Sequence, residues 1–210
     1  LKYWKVIILL GLLLILVACK QPTNEEVYYE IQKKLSTMES YQCIAKIQVI
    51  NQDQEREYIF QQSFKGPNQY RLEVLSPEGL KGNLTLYNGK TAWLRHPAIN
   101  QTWRIDNFQQ SPEQLMFIGY FLRNYVTSKE SKFEIESFEG EDYLVMETKI
   151  PGGNYYFDHQ KLWVDKKQKV PVKLYVYDEK NSVCFRVYYE NFEYNPKLED
   201  NLFHLMDEER

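Results

Sequence analysis

Hydrophobic positions fall into two rhythms along this chain. Thr23-Asn24-Glu25-Glu26 places an N-cap residue three positions before a glutamate. Val27, Ile31, Leu35 and Met38 then recur at helical spacing and form a single apolar stripe. From there the period is mostly two. Tyr41, Cys43, Ala45, Ile47 and Val49 share one side of a strand, with Gln42, Lys46 and Gln48 on the other. Tyr58, Phe60 and Phe64 continue against Glu57, Gln61 and Ser63, and Tyr70, Leu72 and Val74 against Arg71 and Glu73. Leu144, Met146 and Ile150, then Val172, Leu174 and Val176, repeat the pattern later.

Turn chemistry separates these runs at Gly66-Pro67-Asn68, Asn88-Gly89, Glu139-Gly140, Pro151-Gly152-Gly153 and Asp178 to Asn181. Asn88-Gly89 is the strongest hairpin signal, because both residues tolerate the positive φ of a type I′ turn. About ten strands in succession, each with one apolar face, predict a mainly β fold with helices (α+β). The expected architecture is one half-open antiparallel barrel or curved sheet, with an N-terminal helix and a mid-chain apolar helix on its concave face. The mid-chain helix starts at Ser111-Pro112-Glu113-Gln114, with Ser111 as N-cap, Pro112 in the first turn and Gln114 closing a capping box. It reads Leu115 to Leu122 with Arg123 as its first charge, and Gly119 permits close approach. An all-round apolar helix must be covered on several sides. It reads as a plug in the sheet, as a movable lid over an apolar cavity lined by Tyr58, Phe60, Leu72, Phe117, Phe121, Leu144 and Met146, or as both at once.

The start of the chain has a different logic. Lys2 and Lys5 precede an apolar run from Val6 to Ala18. As a helix that run spans only ~20 Å, short of the ~30 Å hydrocarbon core. A basic start, a short apolar stretch and small residues at its end describe an export signal. Leu16-Val17-Ala18-Cys19 resembles the bacterial lipobox, which implies a diacylglycerol thioether on Cys19 and cleavage just before it. The expected organisation is a signal peptide over 1–18, a lipidated tether over 19–23 and one domain over 24–210. Two or more acyl chains make a stable membrane anchor, which places the protein on the extracytoplasmic face. Cleavage removes two lysines and moves the net charge from −3 to −5.

Composition narrows the function. Lys and Arg number 26 against 29 Asp and Glu, which argues against a nucleic-acid binder. His96, His159 and His204 lie far apart, and no Cys-x-x-Cys, Gly-x-Ser-x-Gly or phosphate-binding loop occurs. Asp142, Asp158 and Asp165 fall on polar faces or in turns, where solvation explains them. Neither a catalytic constellation nor a cofactor is expected. Cys43 lies on an apolar strand face and Cys184 on a polar one, which argues against a bridge between them. Two free thiols are then expected, and an exposed Cys184 in an oxidising compartment is the alternative, joining two chains as a homodimer.

Three stretches carry a family resemblance. Ser76-Pro77-Glu78-Gly79-Leu80-Lys81-Gly82-Asn83 leads into Leu86-Tyr87-Asn88-Gly89-Lys90-Thr91-Ala92-Trp93 and His96-Pro97. Later come Leu162-Trp163-Val164-Asp165 and Val170-Pro171-Val172-Lys173. This order resembles the LolA/LolB-like lipoprotein superfamily, and within it GerS-type germination lipoproteins of spore-forming clostridia. The resemblance covers roughly residues 25 to 205. It implies a half-open antiparallel barrel with helices at an apolar cavity. It also implies a non-catalytic role in spore-cortex modification through a partner N-acetylmuramoyl-L-alanine amidase, in the forespore intermembrane space of a sporulating cell. The alternative is a lipid or lipoprotein-acyl binder. A chain held by its own acyl groups cannot shuttle cargo, so a stationary receiver or partner is favoured. Tyr175, Tyr177, Tyr188 and Tyr194 are the candidate contact residues, since tyrosine is enriched at interfaces.

Overall fold

The computed structural model describes residues 22–51, 54–108 and 111–205. The expectations for the signal segment, Cys19 and the start of the tether lie outside these residues, as does the acidic end at 207–210. Among the described residues no helix is long and apolar enough to cross a membrane.

Helix α1 (Asn24–Ser36) begins as the sequence indicates. Thr23 Oγ1 accepts from the Glu26 N–H at 3.2 Å, and the Glu26 carboxylate accepts from the Thr23 N–H at 2.8 Å. Glu25 and Glu26 in the first turn and Lys33 and Lys34 in the last complement the helix dipole. Val27, Ile31 and Leu35 are buried against the sheet.

Six strands follow as a meander: β1 (Ser40–Asn51), β2 (Gln54–Lys65), β3 (Gln69–Ser76), β4 (Leu84–Tyr87), β5 (Ala92–His96) and β6 (Gln101–Ile105). After a crossover through a 3-10 turn (Pro112–Met116) and α2 (Ile118–Thr127), five more strands return. These are β7 (Lys132–Phe138), β8 (Glu141–Asn154), β9 (Phe157–Asp165), β10 (Pro171–Tyr177) and β11 (Val183–Tyr194). They form one antiparallel sheet in the order β6-β5-β4-β3-β2-β1-β11-β10-β9-β8-β7. The sheet stays open, with β6 and β7 as its edges, and β1 and β11 join the two meanders.

Both helices pack on one face, here the inner face. Tyr41, Ala45, Ile47, Tyr70, Leu144, Leu162, Leu174 and Val187 meet α1 and α2 there in one core. The outer face is covered in one place by the C-terminal segment. Leu198 and Phe203 are buried, and Leu205 packs on Leu84, Leu86 and Trp93. Lys65 Nζ fastens this segment, 2.6 Å from Asp200 and 3.0 Å from the Leu198 carbonyl oxygen.

Four expectations need correction. The helix after Ser111 is two pieces, because Phe117 is extended (φ −105°, ψ 130°) and separates the 3-10 turn from α2. Ser111 caps the Glu113 N–H, while Gln114 turns inward and is buried. Asn88-Gly89 sits in a four-residue loop in which only Gly89 has positive φ. The Asn88 side chain accepts from the Lys90 and Thr91 N–H groups and sets the turn. The two-residue turn with both φ positive is Glu139-Gly140 instead. Pro151-Gly152-Gly153 does not end its strand. β8 runs through it with a register irregularity, and the reversal comes at Tyr155-Tyr156. Finally, Tyr194 faces inward. A bulge at Asn191 (φ 53°) shifts the β11 register, so Tyr194 lies opposite the buried Tyr41.

Candidate partner-binding surface

Helix α2 plugs the inner face. Ile118, Phe121 and Tyr125 are buried beneath it, and Phe117 packs 4.6 Å from the Tyr70 ring. Breaking a helix over an apolar sheet exposes backbone groups that need partners. Polar side chains rising from the strands supply them. Tyr41 OH donates to Gln62 Oε1 at 2.8 Å and accepts from the Ile118 N–H at 3.1 Å. The Met116 carbonyl accepts from Tyr189 OH at 2.9 Å and from Gln62 Nε2 at 3.3 Å. Gln160 Nε2 donates to the Leu115 carbonyl at 2.7 Å. Sequence reasoning missed Gln62 and Gln160. The signal was there: each occupies an inner-face slot in an otherwise apolar alternation, Phe60-Gln62-Phe64 and Gln160-Leu162-Val164.

The seven residues expected around a cavity do not gather about one space. Leu72, Phe117, Phe121, Leu144 and Met146 are core residues, and Tyr58 and Phe60 are half-buried on β2. Two openings flank α2. One of about 470 Å³ lies between the 3-10 turn, α2 and the irregular part of β8. The other, about 370 Å³, lies between the end of α1 and α2, lined by Leu35, Met38, Phe64, Leu122, Val126 and Met146. Met146 is the one expected cavity residue that reaches either.

On the outer face, β7 to β11 bring together side chains far apart in sequence. Trp163 donates through Nε1 to Glu136 at 2.8 Å. Lys173 Nζ sits 4.4 Å from the Trp163 ring, 5.6 Å from Tyr175 and 6.0 Å from Tyr143. Burial lowers the Lys173 pKa, opposed by the nearby Glu136 carboxylate. The Tyr175 and Tyr188 hydroxyls are 2.8 Å apart. The His159 and Tyr177 rings stack at 4.7 Å and 1°. His159 Nδ1 lies 2.8 Å from Asp158, which Lys149 also contacts at 2.7 Å. Three of the four expected contact tyrosines therefore share this patch, and Tyr194 does not. Aromatic rings already packed against one another lose little side-chain freedom on binding. Such a patch can hold a partner. Among the described residues no group of three or more His, Cys, Asp or Glu could hold a metal ion.

Cys43 and Cys184 are both free thiols. Cys43 is buried. Cys184 is half-buried, with Sγ 3.1 Å from the Tyr156 carbonyl oxygen, and burial raises its pKa. A raised pKa lowers the thiolate fraction available for oxidation.

Glu147 ties the patch to its border. Burial alone would raise its pKa, but Lys161 at 3.1 Å and Lys132 at 3.2 Å hold it below the usual glutamate range. A depressed carboxylate adds stability above its unfolded pKa of ~4.3 and loses it as pH falls through the folded value. Glu147→Gln is expected to narrow the difference between thermal midpoints at pH 7 and pH 3, read by circular dichroism.

The comparisons with known proteins bear on this fold and surface. The family described as "Sporulation protein YdcC-like" matches residues 2–203. The chain belongs to this YdcC-like family. A curated relative, "Sporulation protein YdcC" of Bacillus subtilis (strain 168), is 24% identical over 205 residues. That match covers 94% of this chain and 59% of the relative, so this YdcC-like chain spans under two thirds of its relative's length. A solved structure of the CwlD amidase from Clostridioides difficile in complex with the GerS lipoprotein is 34% identical. It covers 84% of this chain and 99% of that chain, with a TM-score of 0.50. A LolA superfamily protein from Nitrosomonas europaea also matches, 17% identical over 88% of this chain and 98% of that one, with a TM-score of 0.46.

Proposed function

We propose that this YdcC-like chain is a lipid-anchored, extracytoplasmic and non-catalytic binding partner of a cell-wall amidase in spore-cortex modification and germination. One observation carries the reading: the 34% identity with the structure of the GerS lipoprotein bound to the CwlD amidase. The lipobox ending at Cys19 supplies the anchor, with residues 1–18 as signal peptide, 19–23 as tether and 24–210 as the working domain. The patch of Tyr175, Tyr177 and Tyr188, laid over the buried Trp163, supplies the contact. Aromatic anchors of this kind cost about 2 kcal/mol or more of binding energy when truncated. A second reading, as a lipid or acyl-chain binder, is favoured by the apolar opening between α1 and α2.

Co-purification of the full chain with candidate exported N-acetylmuramoyl-L-alanine amidases, read by native mass spectrometry, separates the two. The expected result is a stoichiometric amidase complex, weakened at least tenfold by Tyr175→Ala with Tyr188→Ala. Retention of lipid mass with no amidase bound would reverse the order. The same spectra test Cys19, since the mature mass must include acyl chains and begin at that residue. They also test a homodimer through Cys184, which would be thiol-sensitive and absent in Cys184→Ser.

A further inference from the structure

Tyr120, Arg123, Asn124 and Thr127 recur at the three- and four-residue spacing that puts side chains on one face of a helix. On α2 that face lines the opening of about 470 Å³, across from residues 150–153 of β8. There the pairing of β8 with β9 lapses. It reaches Lys149 and His159 and resumes at Asn154 and Phe157, so residues 150–153 face Asp158 alone. Bulges are common beside functional sites, where they interrupt the ladder and re-aim side chains. An opening of this volume has the size of a small-molecule site.

Among the described residues, three polar groups of this lining are left partly or wholly unmet. Gln114 is 7% exposed, and its side-chain amide makes no hydrogen bond to any described residue. Asn124 is 8% exposed; its Nδ2 donates to Gln160 Oε1 at a long 3.4 Å, and no described donor reaches its Oδ1. Buried amides without partners are costly, and native proteins keep few of them. The Arg123 guanidinium lies 4.6 Å from the Tyr120 ring and forms no ion pair with a described residue. Tyr120 lines this opening and not the one between α1 and α2, so the stacking turns Arg123 toward the larger space. Arg123 is also the one charged group among the described lining residues. Glu113, beside Gln114 in the chain, is held by the Ser111 hydroxyl and does not line the opening.

We infer that this opening binds a short peptide by its free carboxy-terminus. The carboxylate pairs with Arg123, and the peptide group before it meets Gln114 and Asn124. An inorganic anion or a fatty acid fits less well, because an ionised carboxylate or phosphate only accepts hydrogen bonds. It would leave Asn124 Oδ1 and Gln114 Oε1 unmet. An amide N–H supplies what they lack, and an amide C=O accepts from Gln114 Nε2. A sugar acid also brings donors, but it spreads its hydroxyls over walls made by Leu115, Ile150 and Phe157, where they find no partners. A peptide lays an apolar side chain there instead. Ile150 and Phe157 pack toward the inner core, so the site lies across the sheet from Tyr175 and Tyr188. Its assignment does not depend on an amidase partner.

The probe is the acetylated tripeptide Ala-Ala-Phe with a free carboxylate, titrated into the full chain by isothermal calorimetry. One site is expected, with hydrogen exchange slowed in α2 and over residues 149–157. The same peptide ending in a carboxamide should bind about tenfold more weakly. In Arg123→Gln the two peptides should bind alike, a loss of preference that partial unfolding cannot mimic. Gln114→Leu should weaken both peptides by a similar factor. Tyr175→Ala with Tyr188→Ala should leave the affinity unchanged, which separates this site from the partner surface. Octanoate, a carboxylate without an amide, and glucuronate, a sugar acid, should each bind roughly tenfold more weakly than the probe, or not at all. Equal affinity for either of them, or for the carboxamide, would overturn the inference. So would unchanged binding in Gln114→Leu, loss of binding with the two tyrosines, protection confined to other segments, or no binding at millimolar peptide.

Discussion

Gly119→Ala is expected to lower the stability of the domain by about 2 kcal/mol, although alanine is the better helix former. On an open helix surface the change would gain roughly 1 kcal/mol. Here a Cβ at position 119 would lie 2.1 Å from Phe64 Cζ and 2.3 Å from Cε1. Aromatic neighbours crowd the ring on three sides: Tyr41, Tyr120 and Phe117 have their centroids within 5.6, 5.9 and 6.3 Å of it. Overpacking of this kind costs about 1–3 kcal/mol, occasionally more, and outweighs the propensity gain. Urea unfolding of the full chain gives the sign directly. A stabilised variant would mean that α2 does not approach β2 this closely. Adding Phe64→Leu should recover part of the loss, because the two positions are in contact and their effects cannot add.

Tyr41→Phe is expected to cost about 2–4 kcal/mol, far above the effect of removing a surface hydroxyl. The ring stays and only one oxygen goes. That oxygen satisfies Gln62 Oε1 and the Ile118 N–H, both in the dry core, and each orphaned group carries a penalty of about 1–3 kcal/mol. Hydrogen exchange in α2 should accelerate more than in β8 to β10, since the lost bond fixes the helix start. A loss below about 0.5 kcal/mol would show that water reaches this junction. The inner-face hydroxyl is thus what lets an apolar helix break without leaving bare backbone.

Much of this arrangement was legible before the fold was known. The capping box at Thr23 and Glu26, the inward rows of β1 and β3, and the close approach at Gly119 all follow from local spacing. What local spacing could not supply was register. The extra residue at Asn191 reverses every side chain beyond it, so Tyr194 reads as polar-face in sequence and packs against the core in space. The break at Phe117 was hidden for a similar reason. Its cause sits 55 residues or more away, in Gln62, Tyr41 and Tyr189, and no window along the chain contains both. The aromatic patch was half visible. The parity of Tyr175, Tyr177 and Tyr188 marked them, but the placing of Trp163 and Lys173 beside them depends on how β9, β10 and β11 align. Gln62 was simply overlooked, as a polar residue in an apolar rhythm.

The order in which the strands are synthesised has a cost in time. β1 is made near the start of the domain, yet its neighbour on one side, β11, is the last strand to appear. A chain threaded out amino end first must therefore hold an unsealed seam until almost all of it has emerged. Such long-range closure is slow compared with local contacts. Newly made molecules should consequently spend a vulnerable interval with that seam exposed to proteases and to one another.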